Sequence, residues 1–216
     1  MATKIFTETP SIISEFLSRV RNVNLQQDKH KMRRYMEMIG QFMGYEISKT
    51  LDYSELQVDT PMGSEGCDVI SDDVVIASIM RAGLPMHHGL LEVFDKADSA
   101  FIGAYRKHHK DGTFEIESEY QSSVQLEGKV LILADAMLAT GSSLKLALEN
   151  LISEYGQPKA IHIAAIIAAQ DGFNYIHRYH PDAHYWIGDM DEELTAKNYI
   201  VPGLGDAGDI CFGEKS

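Results

Sequence analysis

The sequence predicts an α/β fold: a doubly wound parallel sheet of about five strands with helices on both faces. Three observations predict it. Five short apolar runs, several rich in β-branched residues, recur from Val74 onward without helical spacing. Segments compatible with helix lie between most of them. Strand and helix therefore alternate, as parallel pairing requires, because each return connection must cross a face of the sheet.

The elements follow in order. Residues 1–58 are expected to be a helical N-terminal part. Within it Met32, Tyr35, Met36, Ile39, Phe42, Met43 and Ile47 recur at three- and four-residue spacing and form one apolar face for the core. The strands are Val74–Met80, Ser99–Lys107, Val130–Asp135, Ala160–Ala169 and Ala183–Asp191. The helices between them are Leu84–Lys96, Ser142–Tyr155 and Phe173–Tyr179. The connection after Lys107 is long and polar and carries Asp111-Gly112, a hairpin signal. A hairpin over 107–128 fits a lid at the ligand end of the sheet; it also fits an inert surface hairpin or a dimerisation arm. The whole chain, 1–216, reads as one domain.

Composition narrows the partners. The chain has 216 residues, 44% hydrophobic and 24% charged, with 19 Lys+Arg against 32 Asp+Glu and a net charge of -13. Such a surface repels nucleic acid and anionic membrane, so an anionic ligand needs a local pocket. The N-terminus has no basic segment leading into an apolar run, and the longest apolar stretch is about half a membrane span. A cytoplasmic protein with reduced thiols at Cys67 and Cys211 is expected. The neighbours His87 and His88 point to different faces of a helix and do not read as a metal pair.

In open parallel sheets ligands bind beyond the carboxyl ends of strands. One run ends on Asp135, and a loop with Thr140 and Gly141 leads into Ser142-Ser143 at a helix start. Free backbone N–H groups and hydroxyls there make a phosphate cradle, though an ordinary helix start capped by Ser142 fits the same residues. No Gly-Lys-Ser or Gly-Lys-Thr is present, so this is not a Walker A loop. Arg81 and Arg106 follow two other runs; paired at a ligand end they suit phosphate, and singly they also suit solvated surface charges. Near the C-terminus Gly203, Gly205 and Gly208 spell GxGxxG. A dinucleotide fingerprint needs a helix after it and an acid about twenty residues on, and the chain stops at Ser216. What remains is a tight loop around Asp206 whose backbone can read a flat ligand, or a plain glycine-rich tail.

These motifs resemble those of the uracil phosphoribosyltransferase family. ADAMLATGSS resembles that family's DPMLATGGS, SIMRAGLPM its ILRAGLGM, and IGAYRK its IGLYR; YIVPGLGDAGD matches its uracil-binding loop letter for letter. The resemblance runs from about Thr60 to Gly213 and implies a type I phosphoribosyltransferase fold, with a hairpin over the site and a small C-terminal hood over 190–216. It implies conversion of uracil and 5-phospho-α-D-ribose 1-diphosphate (PRPP) to UMP and diphosphate, with Mg2+ carried mainly by PRPP. For PRPP it implies Arg81, Arg106, Asp135, Ala136, Met137, Leu138, Ala139, Thr140, Gly141, Ser142, Ser143 and Asp206. For uracil it implies Ile200, Gly205, Asp206 and Ala207, with Asp206 and Arg106 as the catalytic residues. It further implies a homodimer or higher homo-oligomer and, as in some members, a GTP effector. A non-catalytic UMP- and PRPP-binding regulator on the same fold is the alternative. Four positions depart from the family pattern: Ala136 stands for Pro, Ser142 for Gly, Pro85 for Gly and Ile210 for Arg.

Overall fold

The structure is a computed structural model that describes residues 3–108 and 114–214; the side chains of 104–108 and 114–119 lie outside the described set. The expected turn at Asp111-Gly112, with His109 and Lys110, therefore lies outside the described residues.

The strands are β1 (Thr3–Ile5), β2 (Tyr53–Thr60), β3 (Gly63–Ile70), β4 (Val74–Met80), β5 (Asp98–His108), β6 (Phe114–Ser122), β7 (Val130–Leu138), β8 (Ala160–Ala169), β9 (His184–Asp191), β10 (Glu193–Leu194) and β11 (Ile200–Val201). The helices are α1 (Ile12–Arg21), α2 (Lys29–Ser48), α3 (Leu84–Leu91), α4 (Ser142–Tyr155), α5 (Gln170–Tyr179) and α6 (Ala207–Phe212). Seven strands form one sheet in the order β1-β9-β8-β7-β4-β5-β6. All pairs are parallel except β5 with β6. The five expected strands are its centre. β1 adds an edge at one side and β6 an antiparallel edge at the other.

Both faces are covered, which is why the central strands read as continuous apolar runs. Ile76, Ile132, Ala134, Ile166 and Trp186 pack with Met32, Met36, Ile39 and Met43 of α2 and with Met86 and Leu90 of α3. On the opposite face Val75, Leu131, Leu133, Ile163 and Ile187 pack with Leu144, Leu148 and Leu151 of α4 and Ile176 of α5. The chain runs from β4 outward to β5, then returns to β7 on the other side of β4. The β4/β7 boundary is thus the topological switch point, where such sheets place their ligands.

Four local expectations need correction. The N-terminal part over 1–58 is not all helical, since β2 begins at Tyr53 and pairs with β3 as an antiparallel hairpin. Every residue of β2 is exposed, so no buried alternation marks it in sequence. The run ending on Asp135 continues as strand to Leu138, because β8 is long enough to pair Met137 with Ile167 and Leu138 with Ala168. α3 stops at Leu91, where the N–H groups of Val93 and Phe94 both turn back to the Leu90 carbonyl. α5 starts at Gln170, directly from the end of β8, before the expected Phe173.

Candidate functional site

The β7 strand delivers Ala139–Gly141 to the start of α4. Gly141, not Ser142, is the residue before the helix, with φ of 78°, and no side chain caps it. The first helical bond runs from Lys145 N–H to the Gly141 carbonyl at 2.9 Å. The N–H groups of Ser143 and Leu144 precede that bond and point out of the helix end, where the peptide dipoles favour an anion. Thr140 Oγ1 accepts from Ser142 N–H at 3.4 Å and donates to Ser142 Oγ at 3.3 Å, which gathers both hydroxyls at the same point. The loop rests on α5. A Cβ at Gly172 would lie 2.0 Å from the Ala139 carbonyl, and one at Gly141 would lie 2.8 Å from the Gly172 carbonyl. Gly172 is a site-shaping residue that the motifs did not reveal. Its only sequence signal is a glycine in the first turn of a helix.

Asp135 sits at the switch point with its side chain partly accessible while its surroundings are densely packed. That crowding pushes its carboxyl up to about 7, against hydrogen bonds from the Met137 and Ala136 N–H groups that favour the charged form. Ala136 and Leu138 are buried in opposite cores at 0% and 1% exposure, so only their backbones are available to a ligand. Met137 and Ala139 are half-buried against the α2–α3 side.

Arg81 ends β4 beside this loop, and the Met80–Arg81 peptide is cis. The neighbouring Gly83 lies against the Ala134 carbonyl, 2.7 Å from where its Cβ would be, so the two strand ends meet. Arg81 Nη2 donates to Asp209 Oδ1 at 2.8 Å and Nη1 to the Gly213 carbonyl at 3.0 Å. Its Nε is buried without a partner among the described residues, leaving a donor for an anion. Arg106 lies in β5, and its side chain is outside the described residues.

The terminal segment closes over Arg81. β10 and β11 pair antiparallel, Leu194 opposite Ile200. Gly203 and Gly205 both take positive φ, 59° and 89°, and carry the loop around to Asp206. Asp206 caps α6, its Oδ1 accepting from Asp209 N–H at 3.0 Å. A Cβ at Gly208 would lie 3.2 Å from Asp206 Oδ1 and 3.7 Å from Arg81 Nη2, which puts Asp206 and Arg81 on one small patch. Ile200 and Ala207 are buried at 7% and 0%, and Gly205 is exposed. Ile210 is half-buried against the core.

The same segment is held from behind by residues the motifs did not single out. Arg21 of α1 donates to Asp189, to both oxygens of Asp191 and to the Gly203 carbonyl at 2.7 to 2.9 Å. Gln26 donates to the Leu204 carbonyl at 2.8 Å, and Arg33 to the Cys211 carbonyl at 2.6 Å. An arginine at a helix C-terminus reads in sequence as a dipole-favoured surface charge.

The match to known proteins covers nearly the whole chain. The family model described as uracil phosphoribosyltransferase matches residues 7–214. A curated uracil phosphoribosyltransferase of Porphyromonas gingivalis is 47% identical over 206 residues, 95% of each chain. One from Thermococcus gammatolerans is 37% identical over 211 residues, 96% of this chain and 92% of that one. A solved structure from Aquifex aeolicus has a TM-score of 0.87 at 28% identity and covers 98% of both chains. A hypoxanthine phosphoribosyltransferase from Staphylococcus aureus, with a TM-score of 0.50 at 11% identity over 80% of this chain and 85% of that one, shares the fold alone.

Proposed function

This chain belongs to the uracil phosphoribosyltransferase family, and from that premise we propose how its strand ends, phosphate loop and hood divide the reaction. The chain is a pentosyltransferase that converts uracil and PRPP to UMP and diphosphate in UMP salvage. One observation carries the assignment of roles: Arg81, just after β4, bonds Asp209 of the hood, with Asp206 on the far side of Gly208, beside the Asp135 loop. The regulatory alternative gains nothing from the relatives, which are named as the enzyme.

The 5-phosphate of PRPP sits on the α4 start, taking N–H groups of Gly141–Leu144 and the hydroxyls of Thr140, Ser142 and Ser143. Ala136–Ala139 contribute backbone. Asp135 accepts from the ribose hydroxyls. Arg81 exchanges Asp209 for the diphosphate, and Arg106 supplies a second cation from β5. Uracil lies under the hood, read by the backbone around Ile200, Gly205 and Ala207. Its N3–H donor lies between two carbonyl acceptors, and cytosine reverses part of that pattern. Mismatched buried polar groups can discriminate by about 10⁴-fold.

In the reaction the C1–oxygen bond to diphosphate breaks, with both electrons leaving on diphosphate. The C1–N1 bond forms and the N1 proton departs. Asp206 receives that proton. Its Oδ1 is engaged with Asp209 N–H, and Oδ2 has no partner among the described residues. Positive charge develops at C1, so positioning and electrostatics supply most of the acceleration.

The residues fit Mg2+ as a companion of PRPP: Asp135 is a crowded carboxyl at the ribose position, and a cation beside it favours its charged form. When bound with PRPP, Mg2+ would supply positive charge at the diphosphate oxygens. Among the described residues no cluster of three or more metal-ligating side chains forms a cage.

A homo-oligomer and a cytoplasmic setting complete the reading. No described helix is long and apolar enough to cross a membrane. The β2–β3 arm exposes Leu56 and Met62, and a two-stranded hairpin alone is marginal in water, which favours a second copy against it.

The deciding assay incubates the purified protein with PRPP, Mg2+ and labelled uracil, with cytosine in parallel and with or without GTP. UMP from uracil alone is expected, and a GTP effector would raise its rate. In the same assay Asp206→Asn is expected to lower kcat about 10²-fold; full turnover would remove Asp206 as the base.

A further inference from the structure

Arg21 is the last residue of α1, remote in sequence from every motif of the site. Its guanidinium uses four hydrogen bonds. Nη1 donates to Asp191 Oδ2 at 2.9 Å and to the Gly203 carbonyl at 2.8 Å. Nη2 donates to Asp189 Oδ2 at 2.7 Å and to Asp191 Oδ1 at 2.9 Å. Asp191, only 6% exposed, uses Oδ2 a second time to accept from Gly203 N–H at 3.0 Å. Both polar groups of the Gly203 backbone are therefore held by one ion pair. Gln26, a few residues on, takes the next carbonyl, that of Leu204. The following residues are Gly205, Asp206 and Ala207.

We propose that Arg21, through Asp191 and with Gln26, is the positioning residue for base specificity: it locks the backbone of Gly203 and Leu204 so that the next three residues present a rigid pattern to uracil. This deepens the reading of the hood as the uracil site and rests on it. The physical reason is the kind of recognition involved. A side chain that reads a base can be held by its own packing, but a backbone that reads a base must be held by its neighbours. A glycine-rich loop has few packing contacts of its own and high intrinsic freedom. A site off by about 1 Å loses much of its discrimination. Arginine suits the task because its planar fork holds four acceptors at fixed angles, whereas a lysine ammonium has three rotatable donors. Arg21 itself does not face the uracil patch; it lies behind the loop with its side chain 19% exposed.

The test uses the full-length enzyme and measures KM for uracil, KM for PRPP, kcat, and the inhibition constant of cytosine. Arg21→Lys keeps the charge beside Asp189 and Asp191 but loses the fork. Gln26→Met keeps the volume and removes the Leu204 bond together with the bond to the Val20 carbonyl, so it leaves the Arg21 fork intact and serves if the lysine variant fails to fold. Gly205→Ala, inside the loop, reports on the hood itself. Expected results are a uracil KM about tenfold higher in Arg21→Lys and about threefold higher in Gln26→Met, a PRPP KM within about twofold of wild type, and tighter inhibition by cytosine relative to uracil. A purely structural role would lower the melting temperature and active fraction and leave both KM values and the cytosine ratio unchanged. That result overturns the proposal. If Gly205→Ala raises the uracil KM while the other two variants do not, the clamp fails and the hood reading stands. If none of the three moves it, the hood reading fails and takes the clamp with it.

Discussion

Asp135 is the residue whose environment most changes its chemistry. Crowding at the switch point raises its carboxyl to about 7, so the folded protein binds a proton there that the unfolded chain has released. The sign follows. Stability from this group is full below the unfolded value near 4 and is lost as pH rises toward about 7. Asp135→Asn is therefore expected to stabilise the ligand-free protein at pH 8, by about 1–3 kcal/mol in denaturant titrations, and to change little at pH 4. It should cost activity all the same. The ribose hydroxyls need an ionised acceptor, so the wild-type KM for PRPP is expected to rise as pH falls below about 7. A pH profile of that KM, flat from 8 to 5.5, would contradict the role. Thr140, Ser142 and Asp135 were legible in sequence because they lie within one strand-to-helix passage. Arg21 was not, because its partners are 168 to 182 residues away and nothing local distinguishes it.

At the scale of elements the loop we assign to phosphate depends on two helices. α4 supplies the N–H groups, and α5 supplies the surface on which the loop lies. A methyl at Gly172 would stand 2.0 Å from a backbone carbonyl, which no side-chain rotation relieves. Gly172→Ala is expected to push the loop off its seat, raising the PRPP KM at least about tenfold while the uracil KM moves less. Gly141→Ala combines a positive φ with a 2.8 Å approach and should add a stability loss of about 1–2 kcal/mol, read as a lower melting temperature. The central strands and α4 were legible because two covered faces leave a continuous apolar run and a helix leaves a stripe. β2 and β3 were not, since almost every residue of the arm is exposed and hydrophobic pattern carries no information there.

The whole molecule joins distant chemistry by topology. The sheet reverses between β4 and β7, and that reversal sets Arg81 next to Asp135 although 54 positions separate them in the chain. The hood returns from the C-terminus to the same place and is pinned by α1 and α2 from the N-terminus. Beyond its base the arm has no such partner among the described residues: Leu56 at 52% and Met62 at 96% face solvent. Replacing Leu56 and Val58 by Asp is expected to reduce the mass in light scattering to that of one chain, with far-ultraviolet dichroism retained. An unchanged mass would remove the arm as the contact proposed between copies.

The sequence by itself determined the alternation of strand and helix, the strand-to-helix loop at Thr140–Ser143 that we assign to phosphate, the arginine after β4 and the glycine-rich turn around Asp206 that we assign to uracil. Each is a contiguous segment whose function comes from local backbone geometry, so each leaves a short, readable motif. The tertiary structure alone decided that crowding would push the Asp135 carboxyl upward, that Arg81 would rest against Asp209, and that Arg21 would hold the loop before Gly205. Those outcomes depend on desolvation and on charge pairs between segments far apart in the chain. Both are properties of packing, and no window of sequence contains them.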